Sequence, residues 1–454
     1  MACGRRAVGW ASRRVSRVAR EDGAVALASV ATRIDRLPLS LVLFVIAIPL
    51  AIPLAVDVVG TISFSILHVV LLGLLAADAA GLLAGKSLAP HGRFESLALV
   101  LILALGLLNL AYTLDLPRGV AHWILSAMLF GGFWVVRSRV SSPRQVLGFI
   151  DWMIATSLPV LAYGIVQTTL PERMVPDWAP HALVYLGSKP FLRAFSTFDN
   201  ALYFALYTNV VFCSSLARLA AARSGWTRLL ALVGALLALA ALFRTASVGA
   251  LLGALVGGLT ALLVARPALL LLVPPAAAVA VGAMPEPFRL KIVGVFGGFA
   301  SSLPARLILY RSAVDLIRDN PILGVGLGSV EEAIRRGHRL SYDLAVAFTS
   351  ENFLLERGVE SGIPGLLLYA ALVYAAFRNG VRGLSQGRRN QDLTQREAAC
   401  AVFAFLVGFF TQGMTIAIGN FSLMALLGAF IALASIVAEA RPLGAAPPTL
   451  VAAR

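Results

Sequence analysis

Arg193, Arg244, Arg306 and His338 are the residues of this 454-residue chain whose types and placement suit chemistry. Guanidinium groups bind phosphate oxygens bidentately and stay charged at any accessible pH. A neutral imidazole near pH 7 can take a proton from a hydroxyl. Arginines beside a base at a membrane surface suit transfer from a lipid-linked phosphate or pyrophosphate, with no nucleotide, cofactor or metal. The bland readings are a solvated loop histidine for His338 and plain salt bridges for Arg193 and Arg306. Arg311 falls four residues before Asp315, a helical pair spacing that gives it a structural, supporting role.

The elements that must position these groups are membrane spans. Apolar residues make up 59% of the chain, charged residues 13%, and the mean hydropathy is +0.84. A soluble domain carries about a quarter charged residues, so the fold expected is all-α, a polytopic integral membrane protein. Apolar runs near the roughly 20 residues needed to cross a bilayer recur about twelve times. They cover 37–56, 62–83, 95–114, 119–136, 146–168, 200–217, 229–243, 246–264, 267–283, 362–377, 398–416 and 419–438. The organisation is then a basic arm over 1–36, nine spans over 37–283 with an outer loop at 169–199, a long helical loop over 284–361, three spans over 362–440 and a tail over 441–454.

The formal charge of +15 follows this layout and does not imply nucleic acid. The first 36 residues hold eight arginines and no long apolar core, which reads as a cytoplasmic arm beside anionic membrane lipids. With that arm inside, the even-numbered connections and both tails hold 24 of the 38 Lys and Arg. Orientation follows the short loops, which puts both termini in the cytoplasm and the long loop outside, periplasmic in a bacterial inner membrane. The three cysteines are scattered and imply neither a disulfide framework nor a metal site. Five histidines spread over four segments offer no credible metal spacing either.

The long loop carries helix signals. Pro304 suits a first turn, and a helix from there to Arg318, stopped by Asn320-Pro321, places Arg306, Tyr310, Ala313 and Ile317 on one face. After the link Gly324-Val-Gly-Leu-Gly-Ser329, Ser329 and Glu332 have capping-box spacing for a short helix ending at Gly337. A further helix starts near Glu351. Two Gly-rich stretches, Gly81-Leu-Leu-Ala-Gly-Lys-Ser87 and 324–328, lack the spacing and strand context of nucleotide-binding loops and are turns.

With these features in order, the chain resembles the O-antigen ligase and O-antigen polymerase superfamily. The signature Asn320-Pro-Ile-Leu-Gly-Val-Gly326 carries the resemblance, with Arg306 upstream of it and Arg193-Ala-Phe-Ser-Thr-Phe-Asp-Asn200 earlier. Downstream it continues through Asn352, Leu355 and Glu360-Ser-Gly-Ile-Pro-Gly365. Three positions depart from the family pattern. Glu351 stands where a histidine is usual, Ser196 where a glycine is usual, and Val248 where an arginine is usual, with Arg244 one turn before it.

The resemblance implies a membrane glycosyltransferase with a GT-C-like fold, acting on the periplasmic side and independent of metal. Its donor is an undecaprenyl-pyrophosphate-linked glycan. A ligase transfers that glycan to a sugar hydroxyl of lipid A–core, a polymerase to another repeat unit, and an oligosaccharyltransferase to a protein hydroxyl. The ligase is favoured here because the long loop is compact. Arg193, Arg306 and Arg244 would hold the pyrophosphate, with Arg311 and Asn352 supporting. His338 is placed ahead of Glu351 as proton acceptor, and one-step displacement predicts inversion. From another class, a transporter or flippase of an anionic lipid-linked glycan also fits a basic outer vestibule. It would carry mid-span charges, for which Asp78 and Asp151 are the candidates.

Overall fold

A computed structural model describes residues 37–50, 65–85, 93–169, 183–186, 189–284, 302–336 and 351–440, together with 286 and 289. Its helices are α1 (Leu39–Ala47), α2 (Ile66–Leu83), α3 (Arg93–Asn109), α4 (Leu116–Arg139), α5 (Pro143–Gln167), α6 (Ala201–Ala221), α7 (Gly225–Thr245) and α8 (Val248–Ala265). They continue as α9 (Val273–Ala283), α10 (Ser302–Asp319), α11 (Val330–Arg336), α12 (Phe353–Arg389), α13 (Leu393–Gly413) and α14 (Phe421–Glu439). Ten are long and apolar enough to cross a membrane, so the chain is a multi-pass helical membrane protein. They account for ten of the twelve expected spans. The stretch 37–56 begins with the nine-residue α1 and then leaves the described residues, and 267–283 is a 3-10 turn followed by the eleven-residue α9. Among the described residues, the one departure from helix and turn is a two-stranded antiparallel hairpin, β1 (Leu183–Leu186) and β2 (Lys189–Leu192), in register Leu183↔Leu192.

The centre of the bundle is α14, whose residues from Ser422 to Val437 are all buried. It lies against α4 at a glycine crossing. A Cβ on Gly132 would overlap the Ala425 carbonyl, and one on Gly428 would overlap the Leu129 carbonyl. Small residues let backbones approach where lipid gives no hydrophobic drive to association. A second close contact joins α6, α8 and α13, where Asn209 Nδ2 donates to the Gly408 carbonyl (2.9 Å) and to Gln412 Oε1 (3.0 Å).

The two ends of the bundle differ. One collects arginine pairs: Arg139 with Asp78 at 2.7 Å, Arg218 with Asp151 at 2.6 Å and with Glu397, and Arg137 with Glu439. Asp78 and Asp151 are therefore partners of structural arginines. The other end gathers 109–118, 193–200, 244–248, α10, α11, the start of α12 and the 414–420 turn. That end holds the candidate site.

Candidate active site

The signature segments on either side of α11 form one joint. α12 is broken at Gly362, whose φ of 65° and ψ of −165° belong to glycine alone. A side chain there would overlap the Pro321 and Ile322 carbonyls. At the break, Ile363 N donates to the Pro321 carbonyl at 2.8 Å. Val325 N then donates to the Val359 carbonyl (2.9 Å) and Gly326 N to the Glu360 carbonyl (3.1 Å). The Asn-Pro-x-x-Gly-x-Gly link thus docks along the first turns of α12. The 109–118 turn closes over it: Tyr112 donates to the Leu323 carbonyl (2.6 Å), and Asn109 Nδ2 to Ser361 Oγ (2.7 Å). Ser329 precedes α11 and its carbonyl accepts from Ala333 N at 2.9 Å, while its wholly buried hydroxyl also accepts from Leu114 N at 2.9 Å. Its hydroxyl is drawn to the 109–118 turn.

Arg193 and Arg244 come together. Ala194 N donates to the Arg244 carbonyl (2.9 Å), and Arg193 Nε donates to the Thr245 carbonyl (2.7 Å). Arg193 is 8% exposed, and no carboxylate pairs with it among the described residues. Burial alone pushes its guanidinium down to about 10, so it is still charged at neutral pH. Arg244 is half-buried and likewise has no carboxylate partner among the described residues. The loop that carries Arg193 is tightly held. Ser196 takes the left-handed φ of 53° that explains the usual glycine, and it is secured by Ser196 N to Gln167 Oε1 (2.7 Å) and Ser196 Oγ to the Val160 carbonyl (2.7 Å).

Arg306 and Tyr310 lie one turn apart on α10 and face the start of α12, as their spacing predicts. Arg306 Nε is 2.5 Å from Glu351 Oε2. The Tyr310 hydroxyl donates to the Met414 carbonyl at 2.7 Å, and burial raises its ordinary value. Glu351 holds a left-handed φ of 44°, and Asn352 caps α12 by accepting from Leu354 N and Leu355 N at 3.1 Å each. Asn352 Nδ2 also reaches the Met414 carbonyl at 3.4 Å. The expected Arg311–Asp315 pair is not formed. Asp315 lies 3.7 Å from Arg318 instead, and Arg311 is exposed. His338 lies outside the described residues.

Sequence spacing missed a buried charge network. Arg357 is 1% exposed and Glu360 is fully buried, with Arg357 Nη1 2.7 Å from Glu360 Oε2. The other oxygen, Glu360 Oε1, accepts from Gly328 N at 2.9 Å and meets His122 Nδ1. Glu356 is buried beside them, and among the described residues no hydrogen-bond partner reaches its Oε2 or Arg357 Nε and Nη2. His122, Glu356 and Glu360 bring three ligand-type atoms within 4.8 Å of one another, a grouping that distance along the chain concealed. Arg357 Nη1 already pairs with one oxygen of Glu360, so a guanidinium meets part of the charge of this group. The signal available in the sequence was Glu356, Arg357 and Glu360 crowded just before an apolar span.

Residues 233–370 match the family model described as O-Antigen ligase. The match runs from within α7 into α12 and takes in Arg244, Arg306, the glycine link, Glu351 and the buried network apart from His122. It does not include Arg193. Among solved structures, a chain reported under "Structural coordination of polymerization and crosslinking by a peptidoglycan synthase complex" aligns at 15% identity and a TM-score of 0.41. The alignment covers 77% of this chain and 97% of that one. No curated protein matches.

Proposed function

We propose that this chain, which carries the O-antigen ligase family domain over residues 233–370, is an O-antigen ligase of the bacterial inner membrane. It moves a glycan from undecaprenyl pyrophosphate to a sugar hydroxyl of lipid A–core in lipopolysaccharide synthesis. The arginine-paired end of the bundle lies in the cytoplasm with both termini, and the Arg193–Arg306 end faces the periplasm. The observation that carries the reading is Arg193, a buried guanidinium with no carboxylate partner among the described residues. Unpaired buried charge is costly, and an arriving pyrophosphate supplies the missing counter-charge.

In this reading the acceptor oxygen attacks the anomeric carbon as the bond to pyrophosphate breaks. The leaving charge is met by Arg193, Arg306 and Arg244, aimed in advance by the Thr245 carbonyl and the Glu351 carboxylate. Glu351 takes the Nε edge of Arg306 and leaves its Nη edge for the ligand. The hydroxyl proton passes to His338 or Glu351, a contribution of roughly 10²–10⁴ in rate. Attack in one step inverts the anomeric centre and leaves no covalent glycosyl-enzyme.

The test is rescue of a null strain, read from lipopolysaccharide on a gel. Ligase function predicts that the null strain keeps lipid-linked polymer but attaches none to core, and that the intact gene restores long-chain lipopolysaccharide. Single repeats attached to core in the null strain would make the protein a polymerase.

A further inference from the structure

A cavity of about 260 Å³ lies between the start of α2, the start of α4, Asp199 and residues 419–422. Its wall includes His68, Arg118, His122, Asp199, Asn420 and Phe421. These polar groups are held rigidly. His68 Nδ1 accepts from Ser65 N at 3.0 Å, and its ring stands edge-on to Phe421, with centroids 4.8 Å apart and planes at 71°. Asn420 caps α14 through Leu423 N (3.2 Å) and turns its Nδ2 to Asp199 Oδ1 (3.3 Å). His122 is anchored hardest: its Nδ1 meets the fully buried Glu360, which Arg357 and Gly328 N hold from behind. That leaves Nε2 as the polar edge of the ring remaining for the cavity.

The charges lining the cavity define what it accepts. Arg118 is already bound to two carboxylates, Asp115 at 3.3 Å and Glu331 at 2.6 Å. Asp199 adds a carboxylate to the wall. A phosphate would meet a guanidinium that two carboxylates already engage. A hydroxyl donates one hydrogen bond and accepts others, and it suits a wall of imidazole, amide and carboxylate. The volume lies just under the ~300 Å³ at which small-molecule pockets begin, room for one ring and not for a chain of them. We infer that this cavity binds a single uncharged sugar residue of a glycan substrate, a subsite separate from the arginines that hold pyrophosphate. That the sugar belongs to a transferred or receiving glycan rests on the ligase reading; that the cavity takes a neutral sugar does not.

The experiment is saturation-transfer NMR on the full chain in lipid nanodiscs, with the methyl pyranosides of glucose, galactose and mannose as probes and glucose 6-phosphate as the charged control. At least one methyl pyranoside should receive saturation, and glucose 6-phosphate should not displace it. Ala121→Trp, which fills the cavity from α4, should remove the signal. Asp199→Asn, which keeps the volume and changes one acceptor, should lower it about fivefold. The isosteric variant guards against misfolding of the bulky one, and thermal unfolding of both confirms that they fold. No signal from any methyl pyranoside, or full signal in folded Ala121→Trp and Asp199→Asn, overturns the inference. Displacement of the bound pyranoside by released core oligosaccharide identifies the receiving glycan, and displacement by repeat-unit oligosaccharide identifies the transferred one. Displacement by neither overturns it. Because the readout is binding, a cavity that takes sugar in a protein that fails to rescue the null strain would sink the ligase reading and leave the subsite standing.

Discussion

Arg306 Nε and the Glu351 carboxylate meet at 2.5 Å across 45 positions of chain, tying α10 to the residue just before the cap of α12. Glu351 makes this contact from a left-handed backbone, with φ of 44°. A residue other than glycine held there costs of order 1–3 kcal/mol, and histidine is among the side chains enriched in that region. The histidine usual at this position in the resembled family therefore fits the backbone better than the glutamate present.

Glu351→His is accordingly expected to keep transfer, because an imidazole suits that backbone and can still take a proton, and Glu351→Gln to weaken it, because an amide cannot. His338→Ala, assayed beside them with donor binding measured separately, decides the proton acceptor. Donor binding with transfer lowered by about 10² or more assigns the role to His338. Near-normal transfer there, with a dead Glu351→Gln, assigns it to the carboxylate.

Arg193 should be a residue whose removal helps the fold and ruins the function. Arg193→Met replaces a buried cation, without a carboxylate partner among the described residues, with an apolar side chain of similar length, and a gain in stability is expected, read from thermal unfolding in detergent. Transfer should be abolished. Arg193→Lys should rescue poorly, because an ammonium cannot reproduce the planar fork. Normal transfer by Arg193→Lys would reduce Arg193 to a generic charge.

Inorganic pyrophosphate should raise the unfolding temperature of the unaltered protein, since a ligand that binds only the folded state stabilises it. The same addition to Arg193→Met should give a much smaller rise. Equal shifts in the two proteins would place the anion elsewhere.

Transfer should be indifferent to a chelator, because guanidinium groups supply the positive charge at the leaving group. The grouping of His122, Glu356 and Glu360 makes this a sharp test. Activity lost in chelator and restored by a divalent ion would make those three residues a metal site, with Arg357 displaced from Glu360.

Orientation can be read with a membrane-impermeant thiol reagent applied from outside to a chain carrying Cys3→Ser. Arg336→Cys, exposed at the end of α11, should react, and Ser385→Cys, exposed at the other end of α12, should not. Ser329 looks like a loop position in the sequence, but it is wholly buried and would report nothing. Cys213 and Cys400 are buried and should stay silent.

Apolar length made the bundle legible, because a bilayer constrains it strongly. Helix spacing also predicted the α10 face: Arg306 and Tyr310 reach the α12 start and the 414–420 turn, while Ala313 is buried and Ile317 packs inward. Local spacing failed where a second segment competed for a side chain. Asp315 turned to Arg318 rather than Arg311, and the Ser329 hydroxyl, besides standing at the start of α11, was drawn to Leu114 N. The His122–Glu360 contact could not be read at all, since the two residues are joined through folding alone and a histidine in an apolar run carries no distinctive pattern.

The near-complete enclosure of α14 bears on how the protein is made. It is the last helix of the described chain, and 94% of its apolar stretch is covered by helices synthesised before it. Chains emerge N-terminus first, so α4 must wait in the membrane with the Gly132 groove unfilled until Phe421–Glu439 arrives. Completion of the bundle thus waits on the insertion of every other described span. A chain that stops short of residue 421 would leave a cleft through the middle of the molecule for lipid, or for the quality-control machinery, to find.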